Sequence, residues 1–173
     1  MPSKTPSIAL GAIISIVLSM ALSFGMLSMG PTGQMLAGCG ACLLAVVGPL
    51  VAVWHYTSTH HLTIPAGPGA SLGAITGAVA AVVGGLLQQG LILVGLYPNA
   101  AEVIERQRQG MIDSGMDPAQ IEQSMQMAEQ MGGMTSNPLI GILIGLVFGA
   151  VLGAIGGAIG AALFKKGPLE AEI

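Results

Sequence analysis

The chain has 173 residues, 53% of them apolar, with five Lys and Arg, eight Asp and Glu, and a formal net charge of −3. Charged residues make up 8% of it, against about 25% in a soluble domain, and none occurs from Thr5 to Ala101 or from Gln130 to Phe164. A surface facing water is not built that way, which excludes a soluble enzyme, a nucleic-acid partner bound through a basic patch, and a disordered chain. An all-α integral membrane protein in a lipid bilayer remains.

Crossing a hydrocarbon core about 30 Å thick takes roughly 20 apolar residues at 1.5 Å rise, and four stretches meet that requirement. Barrel strands alternate apolar and polar residues, which these runs do not. After a short tail, residues 1–7, the first span covers 8–29, with Ser7 available as its cap. Lys4 before an apolar run raises the alternative of a secretory signal. The run is too long for one and no A-x-A-like cleavage site follows, so a retained helix is expected. The second span, 34–54, carries a Gly48-Pro49 pair that should kink it near its end. Cys39 and Cys42, one turn apart, read as small buried thiols packed on a neighbouring helix.

Trp54, Tyr56 and Tyr97 mark span boundaries, where interfacial aromatics collect. His55, His60 and His61 fall in the loop that follows the second span. Three histidines can coordinate a metal, and one near an interface could ligate a haem. With no carboxylate companions they also fit a polar interfacial loop.

The third span, 66–97, is longer than a crossing needs and must tilt, bend near Gly84-Gly85, or leave its first turn in the headgroups. Gly69, Gly73, Gly77, Ala81 and Gly85 recur in it every four residues, so they share one side of the helix. Gln88 and Gln89 sit about three turns before its end. An amide in hydrocarbon needs partners, and two readings stand: a clamp to serines of the first span, or a contact in a pore or substrate path. No span holds an Asp, Glu, Lys or Arg, the usual mark of pumps and ion-coupled carriers.

Residues 98–136 form the one large extramembrane piece, an acidic helical hairpin rich in Met and Gln. Asn99 with Glu102 suits a helix start, Gly115 an end, Asp117-Pro118 a second start and Gly132-Gly133 a second stop. Its buried stripes should be Ala100, Ile104 and Met111, then Ile121, Met125 and Ala128. Glu102, Glu105, Asp113, Asp117, Glu122 and Glu129 against Arg106 and Arg108 leave it at net −4. Six of the chain's 11 methionines lie between Met111 and Met134. Thioethers bind Cu(I), and Met127, Met131 and Met134 share a helical face, which names copper handling as one reading. Met is also the adaptable filler of partner surfaces.

The fourth span, 137–164, takes Asn137 as N-cap and Pro138 at its first helical position, and residues 165–173 form a tail. Gly141, Gly145, Gly149, Gly153 and Gly157 recur in it every four residues, with Gly156 and Gly160 beside them. Lipid supplies no hydrophobic drive for helices to associate, so small residues that let backbones approach must hold the bundle. The first two spans carry weaker ladders, Gly11, Ser15, Ser19 and Ser23, then Gly33, Ala37, Ala41 and Ala45. Gly77-Ala78-Val79 before Gly84-Gly85 matches Gly149-Ala150-Val151 before Gly156-Gly157, the trace of an inverted repeat or of low complexity. Lys4, Lys165 and Lys166 on the terminal side outnumber Arg106 and Arg108 on the other, which places both termini in the cytoplasm.

The run VAVWHYTSTHHLTIPAGPGASLGAITG from Val51 to Gly77, the acidic Gln/Met segment, and a glycine-laddered last span ending GAALFKK resemble uncharacterised four-span bacterial membrane proteins of the domain-of-unknown-function kind. The resemblance implies an architecture and a bacterial inner membrane, without a substrate or catalytic residues. The expectation is therefore an integral membrane four-helix bundle with GxxxG packing and an external hairpin. It is expected to be non-enzymatic and to need no cofactor, acting as an accessory or scaffold subunit that packs with itself or with other membrane subunits. The alternatives are a small channel or carrier with Gln88 and Gln89 in its path, and copper or haem binding.

Overall fold

Six helices follow one another: α1 (Thr5–Leu27), α2 (Pro31–His60), α3 (Ala66–Leu93), α4 (Ala100–Asp113), α5 (Pro118–Thr135) and α6 (Pro138–Leu163). A computed structural model describes residues 2–27, 31–135 and 138–168, and excludes the side chains of 26–27, 31–39, 41, 100, 128–135 and 138. Asn137 as a cap, the Cys39 thiol and the side chains of Met131 and Met134 thus lie outside the described residues. α1, α2, α3 and α6 are long and apolar enough to cross a membrane, so the chain is a helical, multi-pass membrane bundle.

Several element ends differ from the sequence expectation. α1 begins at Thr5, so Ser7 sits inside the helix, and its hydroxyl pairs with His55 Nδ1 at 2.9 Å. α2 runs through Pro49 and on to His60. His55 and His60 are therefore helical, and only His61 lies in the connection. The polar WHYTSTHH segment stays helical because hydroxyls such as Thr57 Oγ1 satisfy carbonyls of the preceding turn, here Val53 O at 3.0 Å. His61 at φ 52° then turns the chain, with Leu62 N–H closing on Thr57 O at 3.2 Å. α3 ends at Leu93 rather than residue 97, because Gly95 adopts φ 73° and Leu96 N–H reaches back to Leu91 O at 2.9 Å. α5 passes through Gly132-Gly133 to Thr135. Glycine in a helix interior costs only about 1 kcal/mol.

The four long helices form a ring in the order α1, α2, α6, α3; α2 and α3 also approach across it, whereas among the described residues no Cα of α1 lies within 8 Å of one of α6. The most extensive contact is between α3 and α6. A Cβ on Gly73 would collide with the Gly153 carbonyl and lie 2.7 Å from Gly157 Cα, and one on Gly77 would meet the Gly149 carbonyl. A Cβ on Gly69 would be 2.8 Å from Gly157 O. α1 and α2 meet as closely, a Cβ on Gly11 falling 2.6 Å from Gly48 O. Backbones at that range gain dispersion contacts that lipid cannot supply.

The buried core lies at one end, where the N-terminus, the α2–α3 connection and the chain after α6 converge. Val53, Tyr56, Leu62, Ile64, Leu72 and Ala161 fill it, with Ile8 and Phe164 against them. Tyr56 is fully buried here; Lys4 Nζ lies 5.7 Å from its ring centroid and His60 meets it edge-on at 5.0 Å. Thr63 ties the connection to the tail, with N–H to Pro168 O and hydroxyl to Gly167 O, both 2.8 Å.

At the other end α4 and α5 make the hairpin. Asn99 caps α4, its side chain accepting from Glu102 N–H at 3.0 Å and donating to Glu102 Oε1 at 2.9 Å. Gly115 at φ 74° lets the chain turn toward α5.

Candidate functional site

Toward the hairpin end the ring opens. A Cβ on Gly85 would meet the Ile142 side chain at 3.3 Å rather than a backbone, and a Cβ on Gly145 would meet nothing within 4 Å. The α3–α6 seam is thus shut at Gly69, Gly73 and Gly77 and parts beyond Gly149. The same spacing of small residues produces contact in one half and empty space in the other. Gly141, half-buried, lines part of that space.

A chamber of about 320 Å³ occupies the gap. Ser15, Ser19 and Ser23 of α1 contribute one wall at i, i+4, i+8 spacing. Ala45 of α2 reaches its deep end, and Gln88 of α3 and Tyr97 line it nearer the hairpin. A second cavity of about 380 Å³ lies on the α3–α6 side, with Gln88 and Gln89 both in its lining. No Asp, Glu, Lys or Arg lines either space.

Among the described residues no hydrogen bond joins Gln88 or Gln89 to a serine of α1. Ser23 donates instead to the Ser19 carbonyl at 2.8 Å, and Gln88 and Gln89 have no hydrogen bond to any described residue. Ser15 Oγ is buried without a hydrogen-bond partner. At the mouth, Phe24 and Tyr97 meet edge to face with centroids 6.1 Å apart. Toward the termini the bundle is closed by the α3–α6 glycine contacts and the core around Tyr56.

The other candidate residues are scattered. His55 is held by Ser7, His60 by Tyr56, and His61 occupies the turn. Among the described residues no three His, Cys, Asp or Glu side chains come together. The Ser7–His55 pair has the nucleophile and base of a hydrolytic dyad but no orienting carboxylate among its described partners, and Ser7 is 1% exposed. Cys42 is an exposed free thiol rather than a buried one, and Leu43 beside it on α2 is exposed as well. Met127 is exposed on α5.

Outside the bundle, α4 and α5 enclose an open groove of about 530 Å³. Ile104, Ile121 and Met125 line it as the spacing predicts, but Ile112 and Met116 stand there in place of Met111. Glu105, Glu122 and Arg108 rim it. The sequence reading missed the chamber itself, since it took the α1 serines either for small packing residues or for direct partners of the glutamine amides. Their i, i+4 spacing with the downstream Gln88 was the available signal.

A family model described as a protein of unknown function (DUF4199) matches residues 7–166. No curated protein and no solved structure matches the chain.

Proposed function

The chain belongs to that family of unknown function, and on this premise we propose that it is a non-enzymatic accessory subunit of a membrane complex, presenting the α4–α5 hairpin to a partner. The observation that carries the reading is the groove. Ile112 and Met116 are 49% and 40% exposed on a segment outside the hydrocarbon, where uncovered apolar area marks an interaction site. The hairpin's net −4 selects the occupant. Two copies would repel, so the surface suits a basic segment with an apolar face on another membrane protein. The count of Lys4, Lys165 and Lys166 against Arg106 and Arg108 supports termini in the cytoplasm of a bacterial inner membrane, with the hairpin on the opposite side.

Co-purification from native membranes in mild detergent tests this. A stoichiometric partner should be retained by the wild-type chain, released as salt rises, and lost from an Ile112→Glu, Met116→Glu variant. An unchanged set of proteins on the variant would refute it. A carrier or channel is the second reading, favoured by the chamber beside Gln88. The shut terminal half favours holding a molecule over passing one.

A further inference from the structure

Two helices packed side by side bury one stripe of each and leave the seam between them open on one side, where a third helix can close it. The α4–α5 seam is in that state. Ile121 is buried and Ile104 and Met125 are half-buried, yet Ile112 and Met116 stand exposed on the same groove. Its lining falls between Ile104 and Met125, centred on the Gly115 turn and away from the two ends where the hairpin joins the bundle. Among the described residues, the only other helices whose backbones approach the hairpin are α2, beside α4, and α6, beside α5.

The groove has the length of a short helical contact. Its α4 wall runs from Ile104 to Ile112, about 12 Å at 1.5 Å per residue, and its α5 wall from Pro118 to Met125 is about as long. That takes about two turns of a third helix, with apolar side chains at i, i+4 and i+7. An extended segment does not suit it. Its backbone N–H and C=O groups would lie against helices whose own backbone groups are already paired, whereas a helix satisfies its own. The rim sets the charge: Glu105 on α4 and Glu122 on α5 stand on opposite walls, and Arg108 is the one cation in the lining. Among the described residues no ion pair holds either carboxylate.

Resting on the docking reading above, we infer that the occupant of this groove is a cationic amphipathic helix, laid along the α4–α5 seam as the third helix of a bundle. Its apolar face covers Ile112, Met116 and Met125, and its Lys or Arg side chains flank that face, toward Glu105 and Glu122. A second hairpin of this chain does not fit, since it would bring net −4 against net −4. The same charge turns the hairpin away from an anionic leaflet.

The test uses the full chain in phosphatidylcholine nanodiscs and three synthetic peptides of about 15 residues, roughly the least that holds a helix in water. The first carries Leu at i, i+4 and i+7 with Lys on both flanks. The second has Glu in place of Lys, and the third is the first with a central Pro, which breaks the helix. Titration reads the affinity and native mass spectrometry the stoichiometry, with empty nanodiscs as the blank. The first peptide should bind one to one, the second about tenfold more weakly, and the third not measurably. Glu105→Lys with Glu122→Lys, at two exposed positions, should reverse the order of the first two peptides. Failure of the first peptide, equal binding of the second, retention of the third, or an unreversed order would each overturn the inference. So would a dimer, or attachment of the nanodiscs to phosphatidylglycerol vesicles, that Ile112→Glu, Met116→Glu abolishes: the occupant is then a second copy or a lipid surface. Should the double lysine variant not fold, the three peptides on the wild type decide alone. In each of these cases the docking surface itself stands as long as a native partner is lost from Ile112→Glu, Met116→Glu; a partner retained by that variant removes the surface and the helix together.

Discussion

A glycine in this protein matters by what faces it. Gly73 and Gly90 share α3, yet a Cβ on Gly73 runs into the Gly153 carbonyl while one on Gly90 meets nothing within 4 Å. Gly73→Leu should therefore force α3 from α6 and destabilise the fold by about 2 kcal/mol or more. Gly90→Ala should stabilise it by about 0.5–1 kcal/mol through helix propensity alone. Melting both variants in the same detergent checks the pair of signs. The four-residue spacing of small side chains can be read in the sequence at both positions. Which rungs have a backbone opposite them cannot, because that depends on where two helices diverge.

Helix ends were legible where local chemistry sets them and obscure where hydropathy was the guide. Asn99 with Glu102, and Gly115 at positive φ, are short-range devices, and the hairpin starts and turns at those residues. Asn99→Ala should cost about 1 kcal/mol of α4 stability, seen as faster amide exchange confined to the first turn of α4. The end of α2 is the opposite case. Hydropathy falls after Trp54, but Thr57 returns its hydroxyl to the helix and Ser7 and Tyr56 engage His55 and His60. Contacts from α1 and from the core thus keep a polar segment helical. A histidine trio that reads as a loop is dispersed along a helix end for the same reason.

At the scale of the molecule, one end is filled and the other is open. Tyr56, Leu62 and Leu72 fill the terminal end, which the Thr63 bonds to Gly167 and Pro168 tie to the tail. With four candidate crossings the two chain ends belong on one face. Impermeant labelling of tags placed at the N- and C-terminus in intact vesicles should modify both or neither, and labelling of one alone would mean that a helix does not cross.

The sequence by itself determined that this chain is an all-helical membrane protein, because the placement of thirteen charges outside four apolar runs leaves water no surface to wet. It also determined the external hairpin's acidity and caps, which depend on residues a few positions apart. Only the tertiary structure decided which small-residue stripes touch, that α1 and α6 stand apart, and that Ser19 and Gln88 line one chamber. Those outcomes turn on the angles at which helices cross, and many sequences of the same periodicity permit different ones.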